Sequence, residues 1–286
     1  MDTINDNRYP KVKGVLLLFA FALIGVFATG VIALFFSDEE VRIKNVAWIQ
    51  NIMMWIAPTF IVAYIVSRKP FGFLRINKTP HLADVCFAIA ISLAMMPVMN
   101  WLVVWNESMS LPEFLRPMEE WMRTQENHAQ QTTDRLIACN TLWQLLLTVA
   151  SVGVLTGIGE EIFFRGGLQQ ILKGGGLNGH MAVWISALVF SGMHFQFYGF
   201  FPRLMLGVYF GYAFLLTRNI WIPILCHAFN NSVVVISNYL VLHKLVDVDM
   251  QNYGADSNLS IVMSVLVTAS LIYYWKKQVD RRTNAV

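Results

Sequence analysis

The chain has 286 residues, of which 56% are hydrophobic and only 14% charged, and its mean hydropathy of +0.52 lies outside the range of soluble globular domains. It reads as an all-α, polytopic membrane protein. The net charge of +3 is modest and the basic residues are scattered over loops, which gives no support to a nucleic-acid partner. The three cysteines, Cys86, Cys139 and Cys226, fall in or beside apolar runs, so they read as small core residues and argue against a disulfide framework or a Cys-rich zinc site.

Apolar runs of about 17–25 residues suffice to cross the hydrocarbon core. In chain order they occupy 14–36, 46–66 and 83–105, then, after a polar gap, 141–172, 180–197, 202–216, 220–242 and 259–275. About eight transmembrane helices are therefore expected, in one integral membrane domain over 1–286. The first run is followed by SDEEVR, with no small-residue cleavage site, and reads as a retained helix. Between the third and fourth runs, EFLRPMEEWMRTQEN spaces Phe114, Leu115, Met118, Trp121 and Met122 at helical intervals. That pattern within the insert 106–133 predicts a short helix lying in the outer interface. GGGLNG at 174–179 lacks the features of a phosphate-binding loop and reads as a tight turn.

Counting Lys and Arg by alternate loops gives 13 on the side of the termini and 7 on the other. By the positive-inside rule both termini are expected in the cytoplasm, as an even number of spans also requires, and a bacterial protein would sit in the inner membrane.

The first, second, third and eighth runs carry no Asp, Glu, Lys, Arg or His in their apolar cores, whereas 157–231 contains Glu160, Glu161, Arg165, His194, His227, Asn230 and Asn231. Burying a charge at that depth costs at least about 2.5–3.5 kcal/mol, so such groups are expected to face a cavity or one another. Glu161 and Arg165 stand four apart with the acid first, the better order for an intrahelical ion pair. Glu160 is turned about 100° away and reads as the free, titrating acid. A hairpin turning about Leu177 would bring Glu160 and His194 level, while His227 and Asn231 share a face, as do Phe190 and His194. Asn230 reads as a packing residue. Gly207 and Gly211 fit a close helix approach.

A carboxylate beside a histidine can activate water as a general base, and a second histidine with an amide can stabilise an oxyanion. The same residues, Glu160, His194 and His227, could instead ligate Zn²⁺ with an open position, although HExxH spacing is absent. A proton relay in a transporter would also use intramembrane Glu and His, but that reading expects broken helices and an internal repeat, and neither is visible.

EEIFFR (Glu160, Glu161, Arg165), FSGMH (Phe190, His194) and HAFNN (His227, Asn231) resemble, in order, the EExxxR, FxxxH and HxxxN motifs of the CPBP family, the CAAX-protease and bacteriocin-processing or Abi group of intramembrane endopeptidases. The resemblance covers a catalytic core of about 140–240. It implies an eight-helix fold with its active site inside the helix bundle. Glu160 and His194 would then activate water, His227 and Asn231 would form the oxyanion site, and Arg165, with Glu161 and Phe190, would support the set. Relatives remove the last three residues of prenylated CAAX proteins, so the expected partners are membrane lipids and a peptide or lipidated peptide substrate. Some members are named metalloproteases. A metal-free glutamate mechanism is favoured here, with no cofactor and with Zn²⁺ as the alternative. Bacteriocin self-immunity by binding alone is the non-enzymatic alternative.

Overall fold

The structure is a computed structural model that describes residues 11–246 and 253–284. Arg8, which contributes to the loop charge count, lies outside the described residues. All regular structure among the described residues is helical. The elements are α1 (Lys11–Ala33), α2 (Glu39–Ser67), α3 (Leu82–Ala94), α4 (Met96–Glu107), α5 (Arg116–Ile137), α6 (Leu142–Gly174), α7 (Gly179–Gly192), α8 (Phe200–Thr217), α9 (Trp221–Leu242) and α10 (Asn258–Asn284). Six helices among the described residues are long and apolar enough to cross a membrane, and the bent pair of α3 and α4 brings the number to seven. The protein is an integral membrane protein of all-α class.

Three expectations need adjustment. The run at 83–105 is two helices that bend by 45° at Met95. Pro97, in the first turn of α4, explains the break, because its ring removes a donor and clashes with the preceding turn. The run at 180–197 yields only the 14-residue α7, which stops at Gly192 and is shorter than a full span. Beyond it Phe195 takes a left-handed φ of 53°, which reverses the chain, and Phe197 onward belongs to the next element. The insert helix, finally, is not short. α5 runs 22 residues to Ile137, since its polar half contains no Gly or Pro to stop it.

Two helices depart from α geometry where they pass the centre of the bundle. α2 contains a π-helical stretch at Asn51–Ile56, and α6 contains two, Val149–Leu155 and Ile162–Gln169, either side of the α-helical Thr156–Glu161. Such wide turns are found disproportionately at functional sites.

Glycines set the spacing around α6. A Cβ on Gly157 would lie 2.9 Å from the backbone N of Ala228, and one on Gly153 would lie 2.4 Å from Ser232 Oγ, so α9 packs almost directly on the α6 backbone. Gly207 and Gly211 of α8 meet Ala187 and Val183 of α7 in the same way, as their spacing predicts. α10 is tied to the start of α3 by Trp275 Nε1 donating to Asp84 Oδ1 and by an Arg282–Asp84 ion pair.

Candidate active site

The polar side chains singled out between 157 and 231 come from four elements: Glu160, Glu161 and Arg165 from α6, Phe190 from α7, His194 from the loop after α7, and His227 and Asn231 from α9. Arg165 and Glu161 are both 0% exposed and form an ion pair, Nη1 to Oε1 at 3.0 Å. The π-helical widening begins immediately after Glu161, yet the four-residue spacing still brings the two charges together. Arg165 Nη2 also donates to the Gly207 carbonyl at 3.0 Å, and its guanidinium lies over the rings of Phe190 and Phe210. These contacts enclose the cation, whose Nε has no protein hydrogen-bond partner.

His227 stands between the two glutamates. Its Nδ1 lies 2.8 Å from Glu161 Oε1, the oxygen that also meets Arg165, and its Nε2 lies 3.8 Å from Glu160 Oε2. A carboxylate ion-paired to arginine only accepts, so Nδ1 carries the proton. The second oxygen of Glu161 is buried and has no protein partner. The imidazole stacks on Phe210 with centroids 4.9 Å apart and meets the edge of Phe190.

His194 donates from Nδ1 to the Phe190 carbonyl at 2.8 Å, which leaves Nε2 as the acceptor of the neutral ring. Its imidazole lies within electrostatic reach of Glu160, His227 and Arg203. The helical hairpin leaves His194 within electrostatic reach of Glu160, but the imidazole paired with Glu160 among the described residues is that of His227. Asn231 uses one amide N–H on the Val152 carbonyl, at 3.2 Å, within the first π-helical stretch of α6.

Three participants are invisible to motif reading. Asn51, in the π-helical stretch of α2, donates to Thr156 Oγ1 at 3.1 Å, one turn before Glu160. Phe210 supplies the stacking face for His227. Arg203, which charge counting assigns to a loop, sits in the first turn of α8, within electrostatic reach of Glu160. No periodicity marks any of them, because their proximity comes from helix packing.

α5 roofs the loop that follows His194. Trp121 packs on Phe197 with centroids 5.6 Å apart, the Arg123 guanidinium lies 4.2 Å from the centre of the Tyr198 ring, and Glu126 accepts from the Tyr198 backbone N–H at 3.0 Å. Beneath α5, a cavity of about 620 Å³ runs between α4, α8 and α9, with Phe210 and Asn230 in its wall. Asn230, expected to be a packing residue, faces this space. Among the described residues no three of His, Cys, Asp or Glu form a group that could hold a metal ion.

Apolar helices that enclose two carboxylates, an arginine and two imidazoles define an integral membrane protein with the groups of a hydrolase at its centre. Residues 142–233 match the family described as Type II CAAX prenyl endopeptidase Rce1-like, and every motif residue from Glu160 to Asn231 lies within the match. This part of the chain is therefore similar to the CAAX prenyl endopeptidase family. Comparisons with curated proteins and with solved structures returned no match.

Proposed function

We propose that the protein hydrolyses a peptide bond near the C-terminus of a membrane-associated, CAAX-type lipidated peptide, and that Glu160 is its general base. The observation that carries this reading is the arrangement of both glutamates around His227, with Glu161 neutralised by Arg165 and Glu160 not. One acid is committed to an ion pair and the other is left open to a water or a substrate.

In this mechanism Glu160, assisted by His194, takes a proton from water, and the water oxygen attacks the scissile carbonyl carbon as the C–O π electrons move onto oxygen. The 3.8 Å between Glu160 Oε2 and His227 Nε2 is too long for a direct hydrogen bond and suits an oxygen atom bonded to both. Glu161 accepts from His227 Nδ1 and orients the ring, whose Nε2, when it carries a proton, donates to the developing oxyanion. The second N–H of Asn231 is the other donor. Collapse of the intermediate breaks the C–N bond as the proton on Glu160 passes to the leaving amine. No step requires a metal.

The aromatic shell of Phe164, Phe190 and Phe210 supports the same reading, since it keeps the local dielectric low and strengthens every charge interaction inside. The segment 140–240 acts as the catalytic core of a single membrane domain, and the termini are assigned to the cytoplasm. Incubating the purified protein with a prenylated CAAX peptide, with and without a chelator, tests the proposal. Release of the C-terminal tripeptide in both conditions is expected. No cleavage refutes the protease reading, and cleavage abolished by the chelator and restored by Zn²⁺ refutes the metal-free mechanism.

A further inference from the structure

Arg203 is held in an unusual way for a residue at the end of a membrane helix. It lies in the first turn of α8, where Nη2 donates to the Gln196 carbonyl, two residues after His194, at 2.6 Å. Gly199 makes room for it. A Cβ at that position would stand 2.6 Å from Nη2, 2.7 Å from Nη1 and 2.8 Å from Cζ, so the loop closes around the flat guanidinium, and a side chain there would have to push it aside. The φ of Gly199 is −117°, within reach of any residue, so what the glycine supplies here is room for the guanidinium.

The cation has no acid in contact. Its Nε is buried and without a protein partner. Two carboxylates lie within electrostatic reach, Glu126 and Glu160, but neither forms an ion pair with it among the described residues. Glu126 spends one oxygen on the Tyr198 N–H and the other on Gln196 Nε2, and Glu160 faces His227. A half-buried guanidinium in this setting is incomplete until an anion docks on it. Arginine's rigid fork matches a carboxylate with two parallel hydrogen bonds, a geometry that lysine does not offer.

We propose that Arg203 binds the free C-terminal carboxylate of the peptide that the Glu160 site cleaves. The inference rests on the protease reading above and adds to it how the substrate end is measured. When three residues follow the scissile bond, the terminal carboxylate lies at most about 10 Å from the carbonyl under attack, the span of three extended residues. That is a distance over which charges in a protein interior interact, in keeping with the electrostatic link between Arg203 and Glu160. The loop 195–199 then connects the two ends of the substrate site, with His194 beside the reacting carbon and the Gln196 carbonyl and Gly199 around the anchor.

The test uses two prenylated peptides that differ only in ending in a carboxylate or a carboxamide. The full-length protein should cleave the acid with a kcat/KM about 10- to 100-fold above that for the amide, the discrimination expected when a charged hydrogen-bonding group loses its partner. In Arg203→Gln that ratio should collapse toward one, and Arg203→Lys should keep an intermediate ratio, which also covers the case in which Arg203→Gln fails to fold. Binding of both peptides is measured in parallel on Glu160→Gln, which is not expected to cut them, and on Glu160→Gln/Arg203→Lys. Equal handling of acid and amide by the unmodified protein, or an undiminished preference in both Arg203 variants, overturns the assignment. Selective binding of the acid without cleavage by the unmodified protein overturns the protease reading and leaves the anchor standing.

Discussion

Removing one charge of the buried pair is the most direct way to separate structure from chemistry at this site. Arg165→Met keeps most of the side chain's volume but strands Glu161, which is 0% exposed and retains only His227 as a polar partner. Glu161→Gln strands the guanidinium instead, with the Gly207 carbonyl and aromatic faces around it. Breaking a buried pair from either side costs about 3–5 kcal/mol, whereas replacing both partners by neutral groups is often close to neutral. At about 2–4 °C per kcal/mol, each single variant should melt about 6–20 °C below the parent in detergent. The double variant Glu161→Gln/Arg165→Met should melt well above the sum of the two losses, the sign of coupling in a double-mutant cycle. Glu160→Gln should melt near the parent or above it, because Glu160 has no cationic partner in contact and is only 8% exposed. A Glu160→Gln protein that melts far below Arg165→Met and Glu161→Gln, or single losses that simply add, would show that the roles of the two glutamates are reversed or that the pair contributes nothing.

Other outcomes follow from the same geometry. Glu160→Ala, His194→Ala and His227→Ala should each abolish peptide cleavage by folded protein, and Asn231→Ala should lower kcat by about 10²–10³, the usual cost of one oxyanion donor. Wild-type turnover by any of the first three sinks the mechanism. Gly157→Val should both destabilise and inactivate, because even a Cβ there would meet the Ala228 backbone at 2.9–3.1 Å and must push His227, one residue away, off the glutamates. Overpacking of this kind costs about 1–3 kcal/mol, and a 1 Å displacement of a reacting group about 10² in rate. A fully active Gly157→Val would mean that the contact between α6 and α9 is looser than described. Outside the membrane, the Leu111 N–H and then Arg123 hold the Glu119 carboxyl below its ordinary value. A depressed folded pKa contributes stability above the unfolded pKa and loses it as pH falls through the folded value. Exchange protection of the Leu111 amide should therefore persist through mildly acidic pH and vanish only below the ordinary carboxylate range, and Glu119→Gln should remove that dependence. Finally, reporter fusions should report both termini in the cytoplasm, and an external signal from either end contradicts the charge-based orientation.

The buried ion pair was more legible in the sequence than the helix boundaries around it. The four-residue step from Glu161 to Arg165 identified a pair that survives a switch from α to π geometry, because Glu161 closes the α-helical turn and Arg165 remains within one turn of it. Hydropathy also found the runs that become helices, but it records only how well a segment transfers into lipid. It therefore joined α3 to α4 through Pro97 and carried α7 past Gly192 into residues that belong to the next element. α5 was underestimated for the complementary reason: beyond Met122 its residues are polar on every face for several turns, and helix propensity sustains it where periodicity falls silent. Phe210, Asn51 and Arg203 were not readable at all, since each acts through a neighbour far away along the chain.

The pairing of Glu161 with Arg165 inside one helix also bears on how the protein is made. A guanidinium that relied on a later helix for its counter-ion would have to enter lipid alone and wait. Here the acid precedes it by four residues, so the nascent α6 carries its own neutralisation as it leaves the ribosome. The carbonyl of Gly207, which completes the cradle, is synthesised 42 residues later, and His227 later still. Glu160, by contrast, has its neighbouring imidazole on α9, so its surroundings are complete only once α9 has docked.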